Sequence, residues 1–268
     1  MHLGTTIRNM GEGAVPDVMG RCAECAEDAG LESVWVVDHL AIPPDDAEGS
    51  GGRYIDPLIA LAWLAGATRR IRLGVGVLIL PYRSALPTVK QIASLQELSG
   101  ERLILGAGVG WMVPEFRVLG VDRSRRGRIA DTVLDLLNRC FAGDEVTENG
   151  QPFLFRPRPR KPPVLIGGGP PHALRRAARY GDGWVPMALA PEKLARHMAT
   201  YREFCAEAGR APGAATVMGA LPLADPVAAA ERLAAYEEAG AERFVHSERY
   251  ADADDFRRRL DALAPVVS

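Results

Sequence analysis

Two short apolar runs, separated by one helix's worth of polar chain, constrain this sequence more than any other feature. The first is Ile71-Arg-Leu-Gly-Val-Gly-Val-Leu-Ile-Leu-Pro-Tyr82 and the second is Leu103-Ile-Leu-Gly-Ala-Gly-Val-Gly-Trp111. Both are rich in Val, Leu and Ile, and both end in Gly or Pro. Strands this continuously apolar are buried on both faces, as in a parallel sheet covered by helices. The unit is therefore strand, crossover helix, strand, and ligands in such units gather at the carboxyl ends of the strands. Gly74, Gly76, Gly106, Gly108 and Gly110 remove side chains near those ends. The expectation is bare backbone that a flat or phosphorylated ligand can approach.

The same alternation runs through the chain. Strands are expected at 3–7, 33–37, 71–78, 103–106, 163–166, 183–187, 216–221 and 243–246. Helices are expected at 16–29, 57–68, 87–99, 128–142, 171–180, 191–208, 226–239 and 252–263, the second opened by Asp56 as N-cap with Pro57 in its first position. Residues 110–126 read as irregular or partly helical. Residues 143–162 read as an extended excursion, stiffened by Pro157, Pro159 and Pro162 and kept soluble by Arg156, Arg158, Arg160 and Lys161, that leads into the fifth strand. Eight strands alternating with eight helices in 268 residues match an α/β (β/α)₈ TIM barrel, one domain over 1–268. A doubly wound sheet would carry a Gly-rich fingerprint after its first strand, where this chain has Arg8-Asn-Met-Gly11. Gly106-x-Gly108-x-Gly110 stands in the wrong unit for that role.

Net charge is −2, with no long basic run, which argues against nucleic acid as a partner. The apolar runs are too short to span a bilayer. The first residues, Met1-His-Leu-Gly-Thr-Thr-Ile7, open like a strand and lack a signal-peptide pattern, so the expected location is cytoplasmic. Cys22 and Cys25 form a C-x-x-C inside the first helix rather than at its N-terminus. That favours small apolar residues on a helix face over redox chemistry. No second such pair exists to build a zinc site, and no metal is expected.

Several residues fall at strand ends, where a barrel does its chemistry. Asp38 and His39 follow the second strand. The histidine can shuttle a proton or donate a hydrogen bond, with Asp38 as orienting carboxylate, or it can be a loop histidine satisfied by backbone. Gly167-Gly-Gly-Pro-Pro171 joins a strand to a helix start. Bare amides there form an anion cradle suited to phosphate, beyond what a tight turn needs. Trp111 either stacks on a flat ligand or plugs the barrel mouth. His246, near the last strand's end, reads as a capping or buried histidine. Arg123, Arg125, Arg126 and Arg128 read as a solvated helix start, with an anion clamp as the alternative. Nucleophile-elbow, zincin and P-loop motifs are absent from the sequence. The residues by themselves reach a barrel enzyme for a phosphorylated, flat ligand and stop short of the reaction.

Five stretches carry a resemblance further: Ala26 through Asp38-His39, Arg70 through Pro81-Tyr-Arg83, Leu98 through Gly110-Trp111, Glu115-Phe-Arg-Val-Leu-Gly120, and Leu174 through Gly183-Trp184. In order and content the chain resembles the bacterial luciferase-like flavin superfamily, and within it the branch of oxidoreductases dependent on the deazaflavin coenzyme F420. The resemblance implies a luciferase-like barrel with the cofactor ring in its mouth. It also implies a non-proline cis peptide at a bulge in strand three, at Gly76-Val77. His39 would stand near the ring's reactive edge, Val109 and Gly110 along its ribityl side, and Gly167, Gly168 and Gly169 at its phosphate. The implied activity is hydride transfer between coenzyme F420 and a small organic substrate, with His39 as proton donor or hydrogen-bond partner. The alternative is an FMN-dependent monooxygenase supplied by a flavin reductase; a protein that only stores or senses the cofactor is a third reading. A basic groove near Arg123 to Arg128 would favour the deazaflavin, whose tail carries lactyl-glutamates. A homodimer through the second and third helices is also implied. Trp111 stands where sugar-phosphate dehydrogenases of this branch have a glutamate, and Leu40-Ala-Ile-Pro-Pro44 lacks their tryptophan. Both departures point away from sugar phosphates.

Overall fold

The computed structural model describes the backbone of residues 1–267 and the side chains of residues 1–263. The strands are β1 (His2–Thr6), β2 (Ser33–Val36), β3 (Arg72–Ile79), β4 (Leu103–Gly108), β5 (Glu145–Glu148), β6 (Gln151–Leu154), β7 (Val164–Gly167), β8 (Gly183–Val185), β9 (Ala215–Gly219) and β10 (Ala241–His246). All but β5 and β6 are parallel and close into a barrel in the order β1-β10-β9-β8-β7-β4-β3-β2. The outer helices are α1 (Pro16–Asp28), α2 (Pro57–Ala67), α3 (Ala85–Leu98), α5 (Arg126–Ala142), α6 (His172–Tyr180), α7 (Pro191–Glu207), α8 (Pro226–Glu238) and α9 (Ala253–Val267). A short α4 (Val113–Val118) lies between β4 and α5. The fold is the expected (β/α)₈ barrel.

Local chemistry sets the joints. Asp56 caps α2 by accepting from the N–H groups of Leu58 (2.9 Å) and Ile59 (3.2 Å), with Pro57 next. Asp225 does the same for α8. At the opposite end of the barrel, Glu27 accepts from the N–H groups of Arg69, Arg70 (2.6 Å) and Ile71 (2.8 Å) and so fixes the entry to β3.

One expectation needs correction. Residues 143–162 contain an antiparallel hairpin of β5 and β6 as well as extended chain. It turns at Asn149-Gly150, both at positive φ (50° and 77°), and this dipeptide suits the tight hairpin turns whose twist matches the strands. The prolines shape only the stretch beyond it.

The barrel interior holds Trp35, Ile104, Leu165, Val185, Met218 and Val245, with Val77 packed against them. The strand glycines also serve this packing. A Cβ on Gly74 would lie 2.2 Å from the Trp35 ring, and one on Gly76 would lie 2.5 Å from the Met218 sulfur. On Gly106 it would meet the Val75 carbonyl at 2.2 Å, and on Gly110 the side chain of Ile79 at 2.8 Å. Those spaces are filled by protein, while the backbone of Gly76, Gly108 and Gly110 still lines the mouth of the barrel. The pairing of β3 with β4 shifts register between Val75 and Leu78, and the Gly76–Val77 peptide is cis. At this bulge the Val77 side chain enters the mouth of the barrel. It lies where a Cβ on Gly108 (2.3 Å) or Gly167 (2.7 Å) would otherwise project.

This packing is testable by a double-mutant cycle. Gly108→Ala should destabilise the fold by about 1–3 kcal/mol through overpacking. Adding Val77→Ala should return most of that loss, because the two groups compete for one space. Urea denaturation of the two single variants and the double variant measures the coupling. Simple additivity would contradict it.

Candidate functional site

The carboxyl ends of β2, β3, β4, β7 and β8 surround a cleft of about 320 Å³. Val77 contributes its floor. Val37, Asp38 and His39 form one wall, Gly108 to Trp111 another, and Gly167 and Gly168 a third, with Val185 and Met187 beyond. Of the expected site residues, Asp38, His39, Gly76, Val77, Val109, Gly110, Gly167 and Gly168 line this cleft, whereas Gly169 does not.

His39 is held by a carboxylate that the sequence reading did not single out. Its Nδ1 lies 2.8 Å from Oε2 of Glu115 on α4. Glu115 is fully buried. The other oxygen of Glu115 accepts from the N–H groups of Leu40 (2.7 Å) and Ala41 (3.1 Å), and the Tyr82 hydroxyl donates to Oε2 (2.9 Å). Burial pushes the Glu115 carboxyl up, but these backbone and side-chain donors outweigh it and hold it below the usual carboxylate range. Burial and the adjacent Glu115 carboxylate push the Tyr82 phenol far up, so it remains a donor. An ionised Glu115 can only accept, so Nδ1 carries the proton. In the neutral imidazole, Nε2 then has its lone pair free.

Asp38 sits beside His39 in the chain but acts elsewhere. Its carboxylate is buried and takes a bidentate contact from Arg83 (2.6 and 2.9 Å) and a bond from the Ile79 N–H (2.8 Å). Burial pushes its carboxyl up, with Arg83 and the Ile79 N–H working against that. Arg83 also reaches Asp56 (2.7 Å). The cluster staples the segment carrying His39 to the end of β3 and the cap of α2. Glu115 and Arg83 were legible only as members of motif stretches, and Tyr82 also by its place just after the third strand. The one local signal for Glu115 is a carboxylate set among the apolar residues of Met112-Val-Pro-Glu-Phe116.

The remaining candidates separate cleanly. Trp111 lines the cleft at its rim, 65% exposed, with its ring nearly perpendicular to that of His39 at 6.1 Å between centroids. The Tyr54 ring also packs against His39, at 5.2 Å between centroids. After β7, Gly168 adopts φ 116°, a conformation that favours glycine, and a Cβ on Gly169 would meet nothing within 4 Å. Pro170 and Pro171 carry no N–H, so the donors of this segment are the amides of Gly168, Gly169 and His172. His246 is buried, accepts from the Leu221 N–H (3.2 Å) and faces Glu248 (3.2 Å), and burial pushes its pKa down. Arg123, Arg125 and Arg128 are exposed. Cys22 is buried, which pushes its thiol up to about 12, as suits a packing residue. Among the described residues no cluster of three or more His, Cys, Asp or Glu is placed to hold a metal ion, and no helix is long and apolar enough to cross a membrane.

The family described as luciferase-like monooxygenase matches residues 1–266. An F420-dependent hydroxymycolic acid dehydrogenase of Mycobacterium tuberculosis is 32% identical over 200 residues, spanning 71% of this chain and 54% of that protein. An F420-dependent secondary alcohol dehydrogenase, solved with an F420–acetone adduct, superposes with a TM-score of 0.81 at 15% identity, over 99% of this chain and 98% of that one. The oxygenating constituent of 3,6-diketocamphane monooxygenase from Pseudomonas putida, solved with FMN, gives 0.78 at 15% identity, over 99% and 96%. At such identities the two solved structures speak to the fold alone.

Removing the buried carboxylate should be expensive. Glu115→Ala leaves two backbone N–H groups and the Tyr82 hydroxyl unpaired and should lower stability by about 3 kcal/mol, while Tyr82→Phe should cost about 1 kcal/mol. The folded-state pKa of Glu115 lies below its ordinary value of 4.5. Its contribution is therefore whole above that value and is lost as pH falls through the lower folded-state value. Denaturation of wild type and Glu115→Ala from neutral to acid pH should show the gap between them narrowing. A gap independent of pH would contradict an ionised Glu115.

Proposed function

The chain belongs to the luciferase-like monooxygenase family, and on that footing we propose that it is an oxidoreductase that moves a hydride between coenzyme F420 and a small organic substrate. The observation that carries this reading is the His39–Glu115 pair. Alcohol–carbonyl interconversion moves a proton together with a hydride, and His39 Nε2 is a lone-pair nitrogen on a side chain that lines the cleft, backed by a buried anion. The carboxylate stabilises the imidazolium that forms when Nε2 takes the hydroxyl proton of an alcohol. In the reverse direction the same nitrogen returns the proton to a carbonyl oxygen. Asp38, through Arg83 and Ile79, is a positioning residue for His39.

The cleft fits the cofactor class. Val77, with Gly108 and Gly167 on either side, provides a low apolar floor, and Gly168, Gly169 and His172 offer unencumbered amides for a phosphate. When bound, coenzyme F420 supplies the hydride chemistry, and the chain supplies placement, proton handling and shielding from water. The start of α5 favours the deazaflavin over FMN. Arg176 of α6 donates to Asp131 (2.6 Å) and the Gly127 carbonyl (3.4 Å), seating α5 beside the phosphate segment. The exposed Arg123, Arg125 and Arg128 are then available to a lactyl-glutamate tail. Exposed Ile59 and Trp63 on α2 and Leu98 on α3 suit a homodimer contact, readable as a dimer mass by light scattering.

Fluorescence-quench titration of the purified chain tests the cofactor. Coenzyme F420 should bind at least about tenfold more tightly than FMN, a difference of about 1.4 kcal/mol. The reverse preference, or binding of neither, would overturn the reading. With a panel of secondary alcohols and small ketones, His39→Gln should lower turnover about a hundredfold while leaving coenzyme affinity unchanged.

A further inference from the structure

A second cleft, of about 220 Å³, opens beside the first at the ends of β1 and β10, and the two share Val37 as a wall. Its frame is rigid. The buried Asn9 side chain donates to the carbonyls of Val37 (2.8 Å) and Ile55 (2.8 Å) and accepts from the Val37 N–H (3.0 Å). The wall is thus pinned to the segment that continues into Asp38 and His39.

Two arginines line this cleft, the half-buried Arg8 and the exposed Arg249, and both approach Gly49. Arg8 donates from Nη2 to the Gly49 carbonyl (3.3 Å), and a Cβ on Gly49 would lie 3.2 Å from Nη2 of Arg249. Gly49 has φ +75°, so glycine is what lets the loop pass under both guanidinium groups. Among the described residues no carboxylate pairs with either arginine. Glu248, the one carboxylate on the cleft's lining, is taken by Arg259 and faces His246. Two positive forks left without a counter-ion, beside a polar and pinned wall, form a receptor for an oxyanion.

Barrel order says which molecule brings that oxyanion. In the sequence β1-β10-β9-β8-β7-β4-β3-β2, β1 stands four strands from β7 in either direction. The arginine cleft therefore lies across the barrel mouth from the phosphate segment after β7 and from the exposed arginines of α5. It is next to β2, whose extension carries His39. We infer that Arg8 and Arg249 bind a carboxylate or phosphate group of the substrate, so that the substrate is an anionic alcohol or carbonyl compound, a hydroxy or oxo acid or its phosphorylated counterpart. This deepens the oxidoreductase reading and rests on it.

The test reads the two side chains directly. Arginine Nε–Hε NMR signals of the full chain, unloaded and loaded with coenzyme F420 or FMN, are followed during titration with glutarate, inorganic phosphate or neutral dimethyl glutarate. The Arg8 and Arg249 signals should shift saturably with an anion and stay still with the diester. Arg249→Gln and Arg8→Gln should each weaken anion affinity about tenfold, with coenzyme affinity unchanged. The tighter of glutarate and phosphate identifies the oxyanion. Absence of saturable shifts, or anion affinity unchanged in both variants, would overturn the inference. Shifts caused by coenzyme F420 but not by FMN would assign the arginines to the cofactor's tail and overturn it as well. If neither cofactor binds, the hydride-transfer reading fails, while the titration of the unloaded chain still decides whether the arginines hold an anion.

Discussion

The site depends on where one isopropyl group goes. Val77 leaves the strand register at the β3 bulge and lies across the barrel mouth, in space that a side chain at Gly108 or Gly167 would occupy. Below it, Trp35 and Met218 fill the interior up to Gly74 and Gly76. Interiors pack at crystal density, so these choices are coupled, since each large group stands where another strand has surrendered a side chain. The result is a closed barrel beneath a shallow apolar floor, ringed by backbone amides on one side and by His39 on the other.

Charge is arranged around that floor with the same economy. Glu115, Tyr82 and the backbone of residues 40 and 41 form a fully paired buried group behind His39. Asp38 and Arg83 form another that fixes the backbone on which His39 stands. A half-satisfied buried network would be costly, whereas these two are complete and specify one orientation of the imidazole. Both networks draw residues from different strand ends, which is why a barrel mouth can assemble what no local segment contains.

The alternation of strands and helices was legible because each element buries a face of known period, and caps such as Asp56-Pro57 mark their starts. The meeting of His39 and Gly167 at one mouth followed from placing each at a strand end, and that of Val77 and Val109 from the family resemblance. What escaped was long-range or double-purposed. Glu115 is 76 residues from His39 in the chain, and no periodicity links a short helix after β4 to a loop after β2. Asp38 drew notice as the neighbour of His39, yet adjacent residues point to different sides, and its carboxylate turns to Arg83. The strand glycines were legible as bare backbone, and Gly76, Gly108 and Gly110 line the cleft, but a sequence shows a missing side chain and not the neighbour, such as Met218 or Ile79, that fills its space. Asn149-Gly150 was a readable hairpin signal hidden by the prolines that follow it.

The most direct test of the site is a crystal structure of the chain with coenzyme F420 bound. The ring should lie on Val77 with its phosphate on the amides of Gly168 and Gly169, its tail toward α5, and His39 Nε2 directed into the space left for substrate. A phosphate or tail seated at Arg8 and Arg249, or a ring held away from Val77, would contradict the assignment of both clefts.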